Sequence, residues 1–314
     1  MDFWKRTKVL LADQDAGVLL CVVESIGSSP GRAGFRMFVT RNEMTGSIGG
    51  GIMEHKLATF AQSLLDTSPF IPFLRRQIHQ GKIGENRSGM ICSGEQTVAF
   101  CLLDRADLSW LSELISAEEG RLTLDARGVH FSPENTREHR IVLENKGSES
   151  WTYHEWIGAA GTVYIIGGGH VGLACSEILQ NLGFRIILLD HRENLNTFLQ
   201  NPYAHERKVI DFDEVRRHVQ PGTHSYVVLV SFGYRTDAQV MRNLAGLRFR
   251  YFGVMGSAEK MNTLLAELRE EGYDEAWLGN LKTPIGMQIY SKTPEEIAVS
   301  IAAEIIRTKN EPTE

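Results

Sequence analysis

Cysteine is scarce. Four of 314 residues are Cys, at 21, 92, 101 and 175. They are far apart and form no CxxC pair, so the spacing offers neither a disulfide framework nor a local zinc knuckle. A reducing, cytoplasmic setting is the expectation. Basic excess is missing too. Lys and Arg number 33 against 39 Asp and Glu, a formal net charge of −6, which argues against nucleic acid as a partner. No apolar run approaches the ~20 residues of a membrane span, so no membrane partner is expected. The opening MDFWKRTKVLLADQD has no long apolar stretch and no small-residue cleavage site, and a secretory signal is not expected. Neither repeats nor low-complexity tracts are visible.

What remains is an ordinary globular composition, 42% hydrophobic and 23% charged, at a length of about two domains. We read an α+β domain over residues 1–157 and a Rossmann-like, doubly wound α/β domain over 158–314. In the first, GVLLCVVESIG reads as a strand ending in the breaker cluster Ser28-Ser29-Pro30-Gly31, FRMFVTRN as a second strand and EQTVAFCLLD as a later one. Cys21 and Cys101 lie in these apolar runs and read as core residues. One helix is expected between the strands, with Ile52, Met53, Leu57, Phe60, Ala61, Leu64 and Leu65 sharing a face. The stretch from Arg121 to Tyr153 mixes short strand-like pieces (RLTLDA, HRIVLEN) with polar turns and reads as an irregular extension leading into a linker.

In the second domain, GTVYIIGGGHVGLACSEILQNLGFRIILLD reads strand, glycine turn, helix, strand. Further strands and helices alternate after it, implying a parallel sheet. Thr293, Pro294 and Glu296 mark the start of a closing helix by a capping box with proline at the first position. Gly167-Gly168-Gly169-His170-Val171-Gly172 fits GxGxxG between a strand and a helix, with Asp190 at the end of the next strand. That context is the dinucleotide-binding arrangement. Gly167 suits the tight turn, Gly169 the approach of a pyrophosphate, and Gly172 close helix–strand packing. Asp190 would accept from a ribose hydroxyl, and nearby Arg192 suits an extra phosphate. His170 either faces a ligand or caps the helix.

Four other places carry candidate chemistry. Gly49-Gly50-Gly51 precedes a helix bearing Glu54 and His55; such a glycine run can form an anion nest or serve only as a turn. Cys92, in SGMICSG, is flanked by small residues and is a candidate reactive or metal-facing thiol. Gly256-Ser257 opens the helix carrying Lys260, either as an anion site or as a simple cap. Asp237, after the strand YVVLVSF, falls at the sheet edge where open α/β sheets bind ligands.

Together these stretches resemble the XdhC/CoxI family of accessory factors for molybdenum hydroxylases. The likeness is carried by VVESIGSSPGRAGFRMFV, GSIGGGIMEHKL, the Cys-Ser-Gly of MICSGEQTV, YIIGGGHVG, LLDHR, GYRTDAQV, YFGVMGSAEK and KTPIGMQIYSKTPEEIAVSIAAEII. The resemblance implies an N-terminal XdhC/CoxI domain and a C-terminal Rossmann domain. It implies binding of molybdenum cofactor, as molybdopterin or its dinucleotide form, and help in its sulfuration and insertion into a molybdenum hydroxylase of the xanthine dehydrogenase type. The implied partners are the apo-hydroxylase and a cysteine desulfurase. Cys92 matches the cysteine implicated in cofactor handling, and no protein-held metal is expected. Burial of a large cofactor between two copies would favour a homodimer. The residues also leave open an NAD(P)-dependent oxidoreductase, with Gly167, Gly169, Gly172 and Asp190 holding the dinucleotide, although no Ser-Tyr-Lys or His-Asp arrangement stands out as its general acid.

Overall fold

The computed structural model describes residues 2–67, 69–78, 94–117, 119–134, 141–144 and 150–311. The chain folds as two units, Met1–Gly158 and Ala159–Glu314.

The first unit contains α1 (Asp2–Gln14), β1 (Ala16–Gly27), β2 (Arg36–Val39), β3 (Met44–Ser47), α2 (Gly51–Leu64), β4 (Phe73–Ile78), β5 (Gly94–Asp104), α3 (Leu108–Ala117), β6 (Gly120–Asp125), β7 (Gly128–Ser132), β8 (Val142–Glu144) and β9 (Thr152–Ile157). An antiparallel sheet runs β3-β2-β1-β5-β4, with Cys21 opposite Ala99 in the central pair. Both faces of β1 are covered. Leu19, Cys21 and Val23 join Trp4, Leu10 and Leu11 of α1 and Leu111 and Leu114 of α3. Val18, Leu20 and Val22 pack with Met53, Leu57 and Ala61 of α2. Double coverage is why β1 is written as an unbroken apolar run rather than an alternating one. Cys21 and Cys101 are buried as expected, and burial pushes the Cys21 thiol up to about 12.

The N-terminal segment, which the sequence reading leaves unassigned, is a helix, α1, whose apolar face seals one side of the sheet. Two expectations need correction. The stretch after Arg121 is not simply irregular: β7-β6-β9-β8 form a second antiparallel sheet, whose Leu122, Leu124 and Tyr153 complete the α1–α3 core. Ile52 is 68% exposed, because it lies at the first turn of α2 and off the face that Met53 and Leu57 bury.

The second unit contains β10 (Thr162–Ile166), α4 (His170–Asn181), β11 (Arg185–Asp190), α5 (Asn196–Leu199), β12 (Glu206–Val209), β13 (Gly222–Leu229), α6 (Tyr234–Leu244), β14 (Phe249–Val254), α7 (Ala258–Glu270), α8 (Glu275–Asn280) and α9 (Pro294–Asn310). The sheet is wholly parallel, ordered β12-β11-β10-β13-β14. Val163, Ile165, Leu188 and Val228 face α4 and α9, through Cys175, Leu179, Ile301 and Ile305. Ile166, Leu189, Leu229 and Val254 face α6, α7 and α8, through Val240, Met241, Leu264 and Leu278. This is the doubly wound parallel sheet that the sequence leads one to expect. Its chain leaves β10 toward β11 and later returns on the other side to β13. A crevice therefore opens beyond the carboxyl ends of β10 and β13.

Thr293 caps α9 by accepting from the Glu296 amide, and Glu296 reaches back to the Thr293 amide. Below the cap, Glu304 is buried and accepts from Gly286 N at 2.8 Å and Tyr251 Oη at 2.7 Å. This fixes the Pro-Ile-Gly segment against β14. No helix among the described residues is long and apolar enough to cross a membrane.

Phe100 tests the account of the first unit. It is fully buried, stacked on Phe73 at 5.0 Å and edge-on to Phe60 at 5.7 Å. Phe100→Ala is expected to cost about 3–5 kcal/mol, read as a lower urea midpoint with an unchanged m-value. A midpoint equal to that of the unaltered protein would contradict this packing.

Candidate functional site

The carboxyl edge of the second unit's sheet is lined by the loops after β10, β11, β13 and β14 and by the strap before α9. The first follows β10. A side chain at Gly167, where φ is +120°, would strike the carbonyl of Val230, and one at Gly172 would strike the carbonyl of Gly167. Both positions therefore require glycine for close approach. Gly169 differs: a Cβ there meets nothing within 4 Å. Gly169 is also the N-cap of α4, with no side-chain cap. Its open face lies at the N-terminus of α4, where the first-turn amides have no intrahelical partner. His170 stands exposed as the first residue of α4, and the cap does not use its side chain.

The second loop is tied to the first. Asp190, at the end of β11, is fully buried. It accepts from Gly168 N at 2.6 Å, Arg192 N at 2.9 Å, Arg192 Nε at 2.9 Å and Arg192 Nη2 at 2.8 Å. Burial opposes its ionisation, but the Arg192 guanidinium and the amides of Gly168 and Arg192 prevail and hold its pKa below the ordinary carboxylate value. Thr197 closes the arrangement by donating to Gly168 O at 2.6 Å. The sequence reading has Asp190 facing a ribose; in this structure its carboxylate turns inward and anchors the glycine loop.

The remaining loops follow β13 and β14 and the strap before α9. Asp237, near the start of α6, is fully buried. It accepts a hydrogen bond from the Ser231 hydroxyl and one from Lys260 Nζ at 2.6 Å. Burial raises its pKa, against the pull of Lys260 and Ser231. Ser257 is the N-cap of α7, accepting from Lys260 N at 3.2 Å, which is the simple capping role. Gly256 lies beside it, under Met261 and Lys260. Phe232 is 89% exposed on the rim, next to Gly233, the N-cap of α6. Beyond β14, the strap through Gly286 reaches the exposed Met287, Ile289 and Tyr290.

The structure thus brings Gly167, Gly169, His170, Gly172, Asp190, Asp237, Gly256 and Ser257 to one edge of one sheet. Sequence reasoning does not assign roles to Ser231, Thr197 and Lys260. Lys260 follows the Gly-Ser turn at helical spacing, but nothing local indicates that its ammonium reaches back 23 residues to Asp237.

The first unit holds the other glycine cluster, at the junction of β3 and α2. There the anion is the chain's own. Glu54 Oε2 accepts from Ser47 Oγ at 2.6 Å, Ile48 N at 2.9 Å and Gly50 N at 2.9 Å. Partial burial works against the charge, but the Ser47 hydroxyl and the amides of Gly50, Ile48 and Gly49 lower its pKa. The sequence suggests a nest of Gly49, Gly50 and Gly51 open to a ligand; in this structure Glu54 occupies it, so Glu54 is better read as a brace for the turn. Buried Gln96 ties the same turn to Ser29 and Gly31, accepting from Ser29 Oγ and Gly31 N and donating to Ile48 O. Gly94 packs directly against Ser28. Cys92 lies outside the described residues. Among the described residues, no group of three or more His, Cys, Asp or Glu is placed to hold a metal ion.

These features define a Rossmann-type unit whose glycine loop opens at a helix N-terminus, joined in one chain to a mixed α/β unit. Comparison with known proteins takes this further. The family model of the XdhC Rossmann domain matches residues 163–305, and that of the XdhC and CoxI family matches residues 10–74. The chain belongs to the XdhC and CoxI family. It is 23% identical over 335 residues to a probable xanthine dehydrogenase subunit of Bacillus subtilis (strain 168), covering 98% of each chain. It is 24% identical over 294 residues to the uncharacterized protein YqeB of Escherichia coli (strain K12), covering 92% of this chain but only 43% of that protein. The chain therefore spans less than half the length of that relative. A crystal structure of a xanthine dehydrogenase from Bacillus halodurans matches with a TM-score of 0.74 at 20% identity, covering 100% of this chain and 97% of that one, a likeness of fold.

Two outcomes follow from the geometry. Gly169→Asp is expected to leave the melting temperature unchanged, since its Cβ enters open space, while its carboxylate repels phosphate at the α4 N-terminus. Loss of nucleotide or pterin-phosphate binding by calorimetry would agree; unchanged binding would make the loop structural. Glu54 should act through the fold. Its folded-state pKa is depressed, so its stabilisation is full above the ordinary Glu value of about 4.3 and is lost as pH falls through the lower folded-state value. Glu54→Gln should therefore melt lower than the unaltered protein at neutral pH, and the gap should close in acid. A gap that persists or widens in acid would contradict the assignment.

Proposed function

We propose that the protein is an accessory factor for a molybdenum hydroxylase of the xanthine dehydrogenase type, one that binds molybdenum cofactor and assists its sulfuration and insertion. A single observation carries this reading. The chain joins an XdhC and CoxI family unit to an XdhC Rossmann unit whose glycine loop presents an open phosphate cradle at Gly169. Molybdopterin ends in a phosphate, and its dinucleotide forms carry a pyrophosphate, so the α4 N-terminus fits either. The cofactor is cargo. The protein's contribution is to hold its phosphate end at Gly168, Gly169 and the first turn of α4, and to keep the rest out of bulk water until transfer.

Cys92 is the residue proposed to contact the sulfur-rich end of the cargo or to relay sulfur from a desulfurase, because a thiolate is suited to soft ligands and to exchange. The other three cysteines are buried. Burial raises the pKa of each, to about 12 for Cys21 and Cys175, which leaves them poor nucleophiles.

The test is transfer. Purified full-length protein is loaded with molybdenum cofactor and mixed with apo-hydroxylase, and the activity that appears is followed. Cys92→Ala is expected to lower that activity at least tenfold while retaining pterin, measured as its fluorescent oxidation product. Equal activation by both proteins would end the thiol role. Failure of the unaltered protein to retain any pterin would end the cofactor reading. The crevice also sustains an NAD(P)-dependent oxidoreductase, because its open edge at Gly169 suits a dinucleotide equally; a substrate-dependent change in nicotinamide absorbance would favour that reading.

A further inference from the structure

We propose that the buried carboxamide of Gln77, in the first unit, recognises the lactam edge of a fused heterocycle, the 2-amino-4-oxopyrimidine edge that pterins and guanine share. The inference rests on the reading that the protein carries molybdenum cofactor, and it names the residue that meets a ring of that cargo.

Gln77 is 5% exposed, and its Nε2 has no hydrogen-bond partner among the described residues. Buried polar groups are almost always paired, and leaving a donor unmet is costly. An amide nitrogen carries two N–H donors, so the deficit is twice that of an orphaned hydroxyl or indole. The residue directly opposite shows what satisfaction looks like. Gln77 pairs with Gln96 across β4 and β5, which puts their Cβ atoms about 5 Å apart on one face of the sheet. Gln96 is equally buried, yet its Oε1 accepts from Ser29 Oγ and Gly31 N, both at 3.2 Å, and its Nε2 donates to Ile48 O. One amide of the pair is committed to the fold, and the other is not.

The surroundings suit a flat, polar ring. Gln77 is the penultimate residue of β4, an edge strand, so its amide sits at a corner of the sheet. Its face is the one that packs on α2, with Phe73, Val98 and Phe100. Gln96 Nε2 also lies 3.5 Å from Met53 Sδ, in the first turn of α2. The amide pair therefore adjoins the turn where a Cβ at Gly50 would meet nothing within 4 Å. Arg75, two residues before Gln77 and on the same face, holds its guanidinium over the Phe60 ring at 4.6 Å, a planar cation of the kind that stacks on heterocycles. A carboxamide is matched by a lactam: its N–H donates to the ring carbonyl, and its oxygen accepts from the ring N–H. That edge has two sources, the pterin ring itself or the guanine base of a dinucleotide form.

The experiment measures affinity by calorimetry with full-length protein, in two matched pairs. Pterin is compared with 3-methylpterin, and guanosine with 1-methylguanosine; in each pair the methyl group removes the ring N–H. In at least one pair the unmethylated member is expected to bind about tenfold tighter, and the pair that shows this identifies the source. Gln77→Met keeps the length of the side chain and removes the unmet donors. It is expected to melt at the same temperature as the unaltered protein or higher, while the preference shrinks to less than twofold. A residue serving only the fold would do the reverse, melting lower with its preference intact. Equal binding within both pairs, a preference that survives Gln77→Met, or adenosine binding as tightly as the favoured compound would overturn the assignment. So would failure of all four compounds to bind. The cofactor reading is decided separately, by whether the purified protein releases pterin on denaturation.

Discussion

The second unit turns on one buried carboxylate. Asp190 joins the end of β11 to the glycine loop through Gly168, and the same oxygens hold Arg192 in place. An unpaired carboxylate at this depth would be costly. Paired on all sides it becomes a rigid connector, because the low local dielectric strengthens each of its hydrogen bonds. Its consequence for function is positional. The loop is held with Gly169 open at the N-terminus of α4, as the proposed phosphate-binding role requires. Preorganisation of this kind lowers the ordering cost of binding.

A similar device recurs elsewhere in the chain. In the first unit, Glu54 gathers the amides of the glycine turn, and Arg36, itself ion-paired to Glu155, lies over the ring of Trp4 at 4.9 Å. In the second, Asp237 holds Lys260 and Ser231, and Glu304 holds the Pro-Ile-Gly strap. In each case a charged side chain from a helix, a strand end or a neighbouring strand pins the segment beside it. Loops whose conformational entropy is already spent on such contacts would meet a ligand at lower cost.

Much of this architecture is legible from residue order. The GxGxxG turn between an apolar strand and a helix announces β10 and α4, and the alternation after it announces a parallel sheet. The Thr293 capping box marks the start of α9. The limits are equally physical. The second antiparallel sheet of the first unit is made of short strands, with β8 only three residues long, too brief for a periodic signal. Helix α1 begins with charged and aromatic residues, and its apolar face is visible only once the sheet beneath it is known. Among the candidate site residues, the glycines can be read from local turn chemistry, but the direction of the carboxylates cannot. Whether Asp190 faces a ligand or Gly168, and whether Glu54 faces a ligand or Gly50, depends on contacts that leave no local pattern. Lys260 is hidden for the same reason.

The central claim is that this chain carries a phosphorylated pterin as cargo. The most direct measurement is mass spectrometry of the small molecule released when protein purified from a molybdenum-replete host is denatured. The account predicts molybdopterin or its dinucleotide, in near-stoichiometric amount, and its absence from Gly169→Asp purified in parallel. Release of a nicotinamide dinucleotide alone, or of an equal amount of pterin from the variant, would contradict it.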